Sequence, residues 1–171
     1  MAILDILIYP DPRLRQIADP VTTFDGSLQS LVKDMLDTMY AASGIGLAAT
    51  QVNIRKQIII IDVSPDQSDT QIFINPTITA SDGDSETEEG CLSLPGIYAS
   101  VHRHEHIRVQ AMSVEGQSFE REANGLLALC IQHEMDHLKG KVFVDYLSRL
   151  KQERIRKRLK KEQREKKQVG A

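Results

Sequence analysis

NGLLALCIQHEMDHLKG, residues 124–140, decides how the rest of the chain must be built. Asn124 is a good helix N-cap and Gly140 a good stop, so the stretch between them reads as one helix. His133 and His137 stand at i and i+4, about 40° apart around the helix and one turn apart along it. Two imidazoles so placed reach one metal ion. Glu134 lies beside that face, close enough to serve as base toward a water there without ligating the ion; this is the H-E-x-x-H arrangement of metal hydrolases. Leu126, Leu129 and Cys130 lie on or near the face of His133, so the histidines continue an apolar stripe and the helix is expected inside the fold. Asp136 reads either as an exposed or capping carboxylate or as a group that supports a ligand.

Two ligands are too few, since catalytic sites of this kind use three and keep a fourth position open. Downstream of His137 there is no His or Cys, and the acidic residues Asp145, Glu153, Glu162 and Glu165 fall mostly in a charged tail. The third ligand is therefore sought upstream. Cys130 lies ~7.5 Å along the helix axis from the midpoint of the two histidines, too far for a short thiol; it reads as a packing residue. His102, His104 and His106 alternate and are expected on one strand face, an arrangement that also binds metals. Arg103, Glu105 and Arg108 surround them, which favours a solvated face. Cys91 remains, in the tight segment Glu89-Gly90-Cys91-Leu92-Ser93, where the glycine allows close backbone approach.

Outward from the central helix, Gly26–Ala42 carries Leu28, Leu31, Val32, Met35, Leu36 and Met39 at helical spacing, and Ser43-Gly44 ends it. Asp11-Pro12 opens a short helix. Residues 57–63 read as a buried strand and 71–79 as another, with Asn75-Pro76 as a bend or edge. The acidic stretch 80–90 reads as a loop or hairpin tip. Residues 101–114 and 117–122 read as strands joined at Glu115-Gly116, and VFVDYL as a short strand. Ser148 opens a second helix over 148–167. The expected class is α+β: small antiparallel sheets packed around a central metal-binding helix, with a C-terminal helix. The expected division is a catalytic body, 1–147, and a basic helical extension, 148–171, of the same domain.

With 171 residues, 41 % of them hydrophobic, the chain is long enough to bury a core, and disorder over most of it is excluded. It lacks Trp, so that core must be mainly aliphatic. No apolar run is long enough to span a bilayer, and MAILDILIYPDP lacks the basic start of a signal peptide. A cytoplasmic protein is expected, with neither membrane nor DNA as partner, and in that reducing setting a cysteine serves a metal before a disulfide. Charge is unevenly placed. Residues 151–171 hold ten Lys/Arg against three Glu, a net +7, and residues 1–150 eleven against twenty-one Asp/Glu, a net −10. Leu150, Ile155 and Leu159 give the last helix only a thin apolar stripe, so it is expected to project from the body.

Three segments stand in order: Gly44-Ile45-Gly46-Leu47-Ala48-Ala49-Thr50-Gln51, Glu89-Gly90-Cys91-Leu92-Ser93 and Gln132-His133-Glu134-Met135-Asp136-His137. Together they resemble the peptide deformylases, and the resemblance runs from Pro10-Asp11-Pro12 to the basic C-terminal helix. It implies that Cys91, His133 and His137 hold one divalent metal, Fe(II) in the cell with Zn, Ni or Co as substitutes. It implies that Glu134 is the acid/base and that Gln51 and the Leu92 N–H receive the oxyanion. Gly44, Ile45, Gly46, Glu89, Leu126, Leu129 and Cys130 would contact the substrate, an N-formyl-methionyl nascent peptide that loses formate. Docking on the large ribosomal subunit through the basic helix is implied as well. Tyr98 departs from family members that carry Arg there, which changes the pocket rim.

Two other readings compete. A zinc peptidase of the H-E-x-x-H type would cleave unformylated peptides, and a non-catalytic RNA-binding module would use the basic tail alone. The glycine-rich 44–51 is no nucleotide loop, because it follows a helix and lacks the G-x-G-x-x-G spacing.

Overall fold

Four consecutive isoleucines, Ile58–Ile61, form a strand (β2) with no exposure on either side. Successive side chains of a strand point to opposite faces, and the two faces here meet different helices. Ile58 and Ile60 pack with Val32, Met35 and Met39 of helix α1 (Gly26–Ala41). Ile59 and Ile61 pack with Ile131, Met135 and Leu138 of helix α2 (Gly125–Leu138). A strand covered on both faces needs a continuous apolar run, which this one has. In the computed structural model, which describes residues 2–169, β2 belongs to a five-stranded sheet. Its strands are β1 (Gly46–Ala48), β2, β3 (Gln71–Asp82), β6 (His106–Met112) and β7 (Ser118–Asn124), in the order β1-β2-β3-β6-β7 with every neighbour antiparallel.

A separate hairpin of β4 (Ser85–Cys91) and β5 (Leu94–Arg103) lies beside α2. It rests on a third cluster made of Leu7, Tyr9, Leu14, Val142, Phe143 and Val144 with Leu94, Ile97 and Val101. The class is therefore α+β, two small antiparallel sheets around α2. Among the described residues no helix is long and apolar enough to cross a membrane.

Three local expectations need correction. The acidic stretch 80–90 is mostly strand, because β4 turns one face to solvent and Glu86 and Glu88 ride on that face, while Glu89 is buried. The 101–114 run breaks at His104-Glu105, where the chain leaves the hairpin for the large sheet. Gln132 of α2 pins that crossover: its Oε1 accepts from the His104 N–H at 2.9 Å and its Nε2 donates to the His104 carbonyl at 2.7 Å. VFVDYL is no strand. Phe143–Tyr146 is a 3-10 helix, closed by the Asp145 carboxylate, which accepts from the Val142 N–H at 3.0 Å and pairs with Arg15 at 2.6 Å. The bend at Asn75 is present, with φ +53, and its side chain accepts from the Val21 N–H at 2.8 Å.

The C-terminal helix α3 (Arg149–Val169) does not simply project. Leu159 is fully buried in the cluster beneath β5 and Ile155 packs against it, while Leu150 is exposed. Ile155 and Leu159 stand four residues apart, about one helical turn, and this short stripe seats the helix. Ending the chain at Leu150 is therefore expected to cost about 2–5 kcal/mol, the range for emptying a buried Leu site. Ending it at Lys161 should cost under about 0.5 kcal/mol, as for a surface change. Urea unfolding of the two chains beside the full one checks this; equal midpoints for all three would show that Leu159 carries no weight.

Candidate metal centre

Cys91 ends β4, and His133 and His137 sit one turn apart on α2. The hairpin lays β4 against α2, so that Cys91 Sγ and one ring nitrogen from each histidine lie within 4.8 Å of one another. Sγ is 3.4 Å from His137 Nε2. Ligands of a tetrahedral ion with one thiolate and two imidazoles stand about 3.5 Å apart, so the set fits a single metal. His133 gives its Nδ1 to Glu89 Oε1 at 2.8 Å, which leaves Nε2 for an ion. Glu134 is buried between the two histidines in sequence, and its Oε1 has no hydrogen-bond partner, as has His137 Nδ1. A buried carboxylate oxygen without a partner is costly, and a water held at the centre would satisfy it. Burial pushes the Glu134 carboxyl up to about 7, a value that suits a general base.

Gln51, in the 3-10 helix Ala49–Val52, has its amide fixed at both ends. Its Oε1 accepts from the Ala48 N–H at 2.9 Å, so its Nε2 faces the centre, 3.0 Å from Ser93 Oγ and 3.5 Å from Cys91 Sγ. Gly44, Ile45, Gly46, Glu89, Cys91, Leu92, Leu126, Leu129, Cys130, His133 and Glu134 all line one cavity of about 440 Å³. Every substrate-contacting residue expected from the sequence therefore borders the same space. Burial, then the charges of Glu134 and Glu89, push the Cys130 thiol up to about 12, so it is an uncharged wall residue and no ligand. Ile45 and Leu126 are half exposed at the mouth. Tyr98 is also at the mouth, 67 % exposed, its ring lying so close to Gly90 that a Cβ there would stand 2.7 Å from Cε1.

The strand histidines are not part of the centre. His102 is on β5, His104 in the crossover and His106 on β6, all exposed. Arg103, expected with them on a solvated face, is instead buried. It is 7 % exposed, with Nε 2.8 Å from Glu89 Oε2, Nη2 2.9 Å from Glu89 Oε1 and Nη1 2.6 Å from Asp136 Oδ2. Burial raises the Glu89 pKa, but the bonds from Arg103 and then His133 outweigh it and hold the carboxylate ionised. Period-two alternation on β5 was the available signal, since it turns Arg103 inward where His102 faces out. Asp136 is thereby a supporting carboxylate and no mere cap.

Residues 3–153 match the family described as polypeptide deformylase. The chain belongs to that family. A peptide deformylase from Hahella chejuensis is 57 % identical over 163 residues, covering 95 % of this chain and 97 % of its own. The crystal structure of a peptide deformylase from Legionella pneumophila superposes with a TM-score of 0.92 at 50 % identity, covering 96 % of this chain and 98 % of that one. Another from Ehrlichia chaffeensis, in complex with actinonin, has a TM-score of 0.91 at 37 % identity and covers 96 % and 99 %. The chain is thus a hydrolase of the deformylase class, acting in protein biosynthesis.

Proposed function

We propose that the chain hydrolyses the formyl group of N-formyl-methionyl nascent peptides, with one metal on Cys91, His133 and His137. The observation that supports this best is that an apolar cavity ends on Cys91, His133 and the buried, unpartnered Glu134. When bound, a divalent metal there acidifies a water and polarises the formyl carbonyl. Glu134 takes the proton of the attacking water and later gives it to the leaving amine. Gln51 Nε2 and the Leu92 N–H receive the oxyanion, and donors fixed in advance do so without reorganisation. Leu126, Leu129 and Cys130 supply the wall for the methionine side chain, and Gly44, Ile45, Gly46 and Glu89 border the peptide. The space beside the base is narrow: a Cβ on Gly46 would lie 2.5 Å from Glu134 Oε2. An acyl group as small as formyl suits it.

A mixed thiolate and imidazole set accepts Fe(II), Zn, Ni or Co. Fe(II) is the proposed resident, and the thiolate makes such a site prone to oxidative loss. The same reading has the enzyme working in the cytoplasm, with α3 docked on the large ribosomal subunit. Counterion release drives basic helices onto phosphate backbones, so co-sedimentation with ribosomes should fall as salt rises. Binding indifferent to salt would overturn the docking.

The deciding assay is formate release from formyl-Met-Ala-Ser beside hydrolysis of Met-Ala-Ser, with metal content measured on the same sample. Formate from the first and no cleavage of the second is expected. Cleavage of the second instead would make the chain a peptidase. In the same assay Gln51→Leu should lower kcat with metal retained, since a lost oxyanion donor costs ~2.7–4 kcal/mol. An unchanged kcat would take Gln51 out of the chemistry.

A further inference from the structure

The hydrogen bonds behind His133 do not stop at Glu89. Arg103 bridges Glu89 to Asp136, and Asp136 Oδ2 accepts a second bond, from the Tyr146 hydroxyl at 2.7 Å. The Arg103 guanidinium also lies over the Tyr146 ring, 5.2 Å from its centroid. Asp136 is three residues beyond His133 on α2, so the chain of contacts closes on itself through one helical turn. Hairpin, crossing helix and the 3-10 helix Phe143–Tyr146 each contribute a member. Tyr146 is half exposed, and the 3-10 helix it ends leads directly into α3.

We propose that Tyr146 and Asp136 are positioning residues for the metal ligand His133, acting through Arg103 and Glu89. The argument is geometric. The carboxylate of Glu89 sets the tautomer and the plane of the His133 ring, because the Nδ1 proton can point only at it. Glu89 is in turn held by two guanidinium bonds, and a bidentate pair is directional in a way a lone ammonium is not. The guanidinium has its remaining arm on Asp136. A carboxylate with one partner can swing about its Cα–Cβ and Cβ–Cγ bonds, and the Tyr146 hydroxyl on the same oxygen removes that freedom. The ring beneath the guanidinium fixes its other face. A residue half in solvent thus reaches the ligand His133 through three intervening side chains.

This inference rests on Cys91, His133 and His137 being the ligands, and the test separates the two. Full-length protein is loaded with Co(II), its absorption spectrum recorded, and release into excess EDTA followed. Wild type, Tyr146→Phe, Asp136→Asn and the double variant are compared, together with the melting temperatures of their metal-free forms. Partners of ligand groups typically tune metal affinity 10–100-fold. Asp136→Asn should release Co(II) on that scale faster and shift the spectrum. Tyr146→Phe should release it several-fold faster while the metal-free form melts as wild type does. The double variant should be no faster than Asp136→Asn alone, because both act along one path. Release within twofold of wild type in both single variants overturns the proposal, and so does a double variant whose acceleration is the product of the two. Failure of wild type to take up one Co(II) per chain would instead strike the ligand set itself.

Discussion

Glu134→Gln is expected to fold and keep its metal, and to release formate on the order of 10²–10⁴-fold more slowly than wild type, the usual contribution of general acid–base catalysis. The amide keeps the shape of the carboxylate and cannot take a proton. Gly46→Ala should reach a similar outcome by another route, since its Cβ would come within 2.5 Å of Glu134 Oε2 and drive the carboxylate from its place. A pH signature accompanies the first variant. In the metal-free protein, folding raises the Glu134 pKa from its ordinary 4.5 to about 7. Between those values the folded state holds the proton and the unfolded state has lost it, so stability falls as pH rises across that window. Glu134→Gln should flatten this slope. The measurements are steady-state formate release with metal analysis, and urea unfolding of metal-free protein from pH 4.5 to 7.5. A near-wild-type rate in Glu134→Gln would mean that another group handles the proton.

Cys91→Ala should lose the metal and with it nearly all turnover. Two imidazoles alone make a weak site, and the thiolate is the only anionic donor of the set. Gln51 loses a contact as well, since its Nε2 lies 3.5 Å from Sγ, but its bond to Ser93 Oγ at 3.0 Å should hold the amide in place. Cys130→Ala is the control: it widens the cavity wall, keeps the metal, and should act mainly through KM. Replacing His102, His104 and His106 by Asn should leave metal content unchanged, because all three are exposed and on different elements. Metal retained by Cys91→Ala and lost by the triple variant would move the site to those histidines.

The site was legible where a chemical requirement forces a local pattern. His133, Glu134 and His137 are spaced by the helix itself, and a third donor had to lie upstream because nothing downstream qualified. What failed was burial of charge. Arg103 sits in a polar stretch, His-Arg-His-Glu-His, whose composition speaks for solvent, and only the alternation of β5 argued otherwise. Glu89 borders the cavity as expected, but its second duty toward His133 depends on which residue β4 brings across from α2.

The amino-acid order by itself determined the metal helix, the ligand types, the two flanking helices and the α+β class, because periodicity and caps are properties of neighbours in the chain. The tertiary structure alone decided three things. It closed the His133–Glu89–Arg103–Asp136 ring, whose members are up to 47 positions apart. It turned VFVDYL into a 3-10 helix held by Arg15, and it seated α3 through the single buried Leu159. Each depends on a partner brought in by long-range packing, whose direction and desolvation no local pattern records.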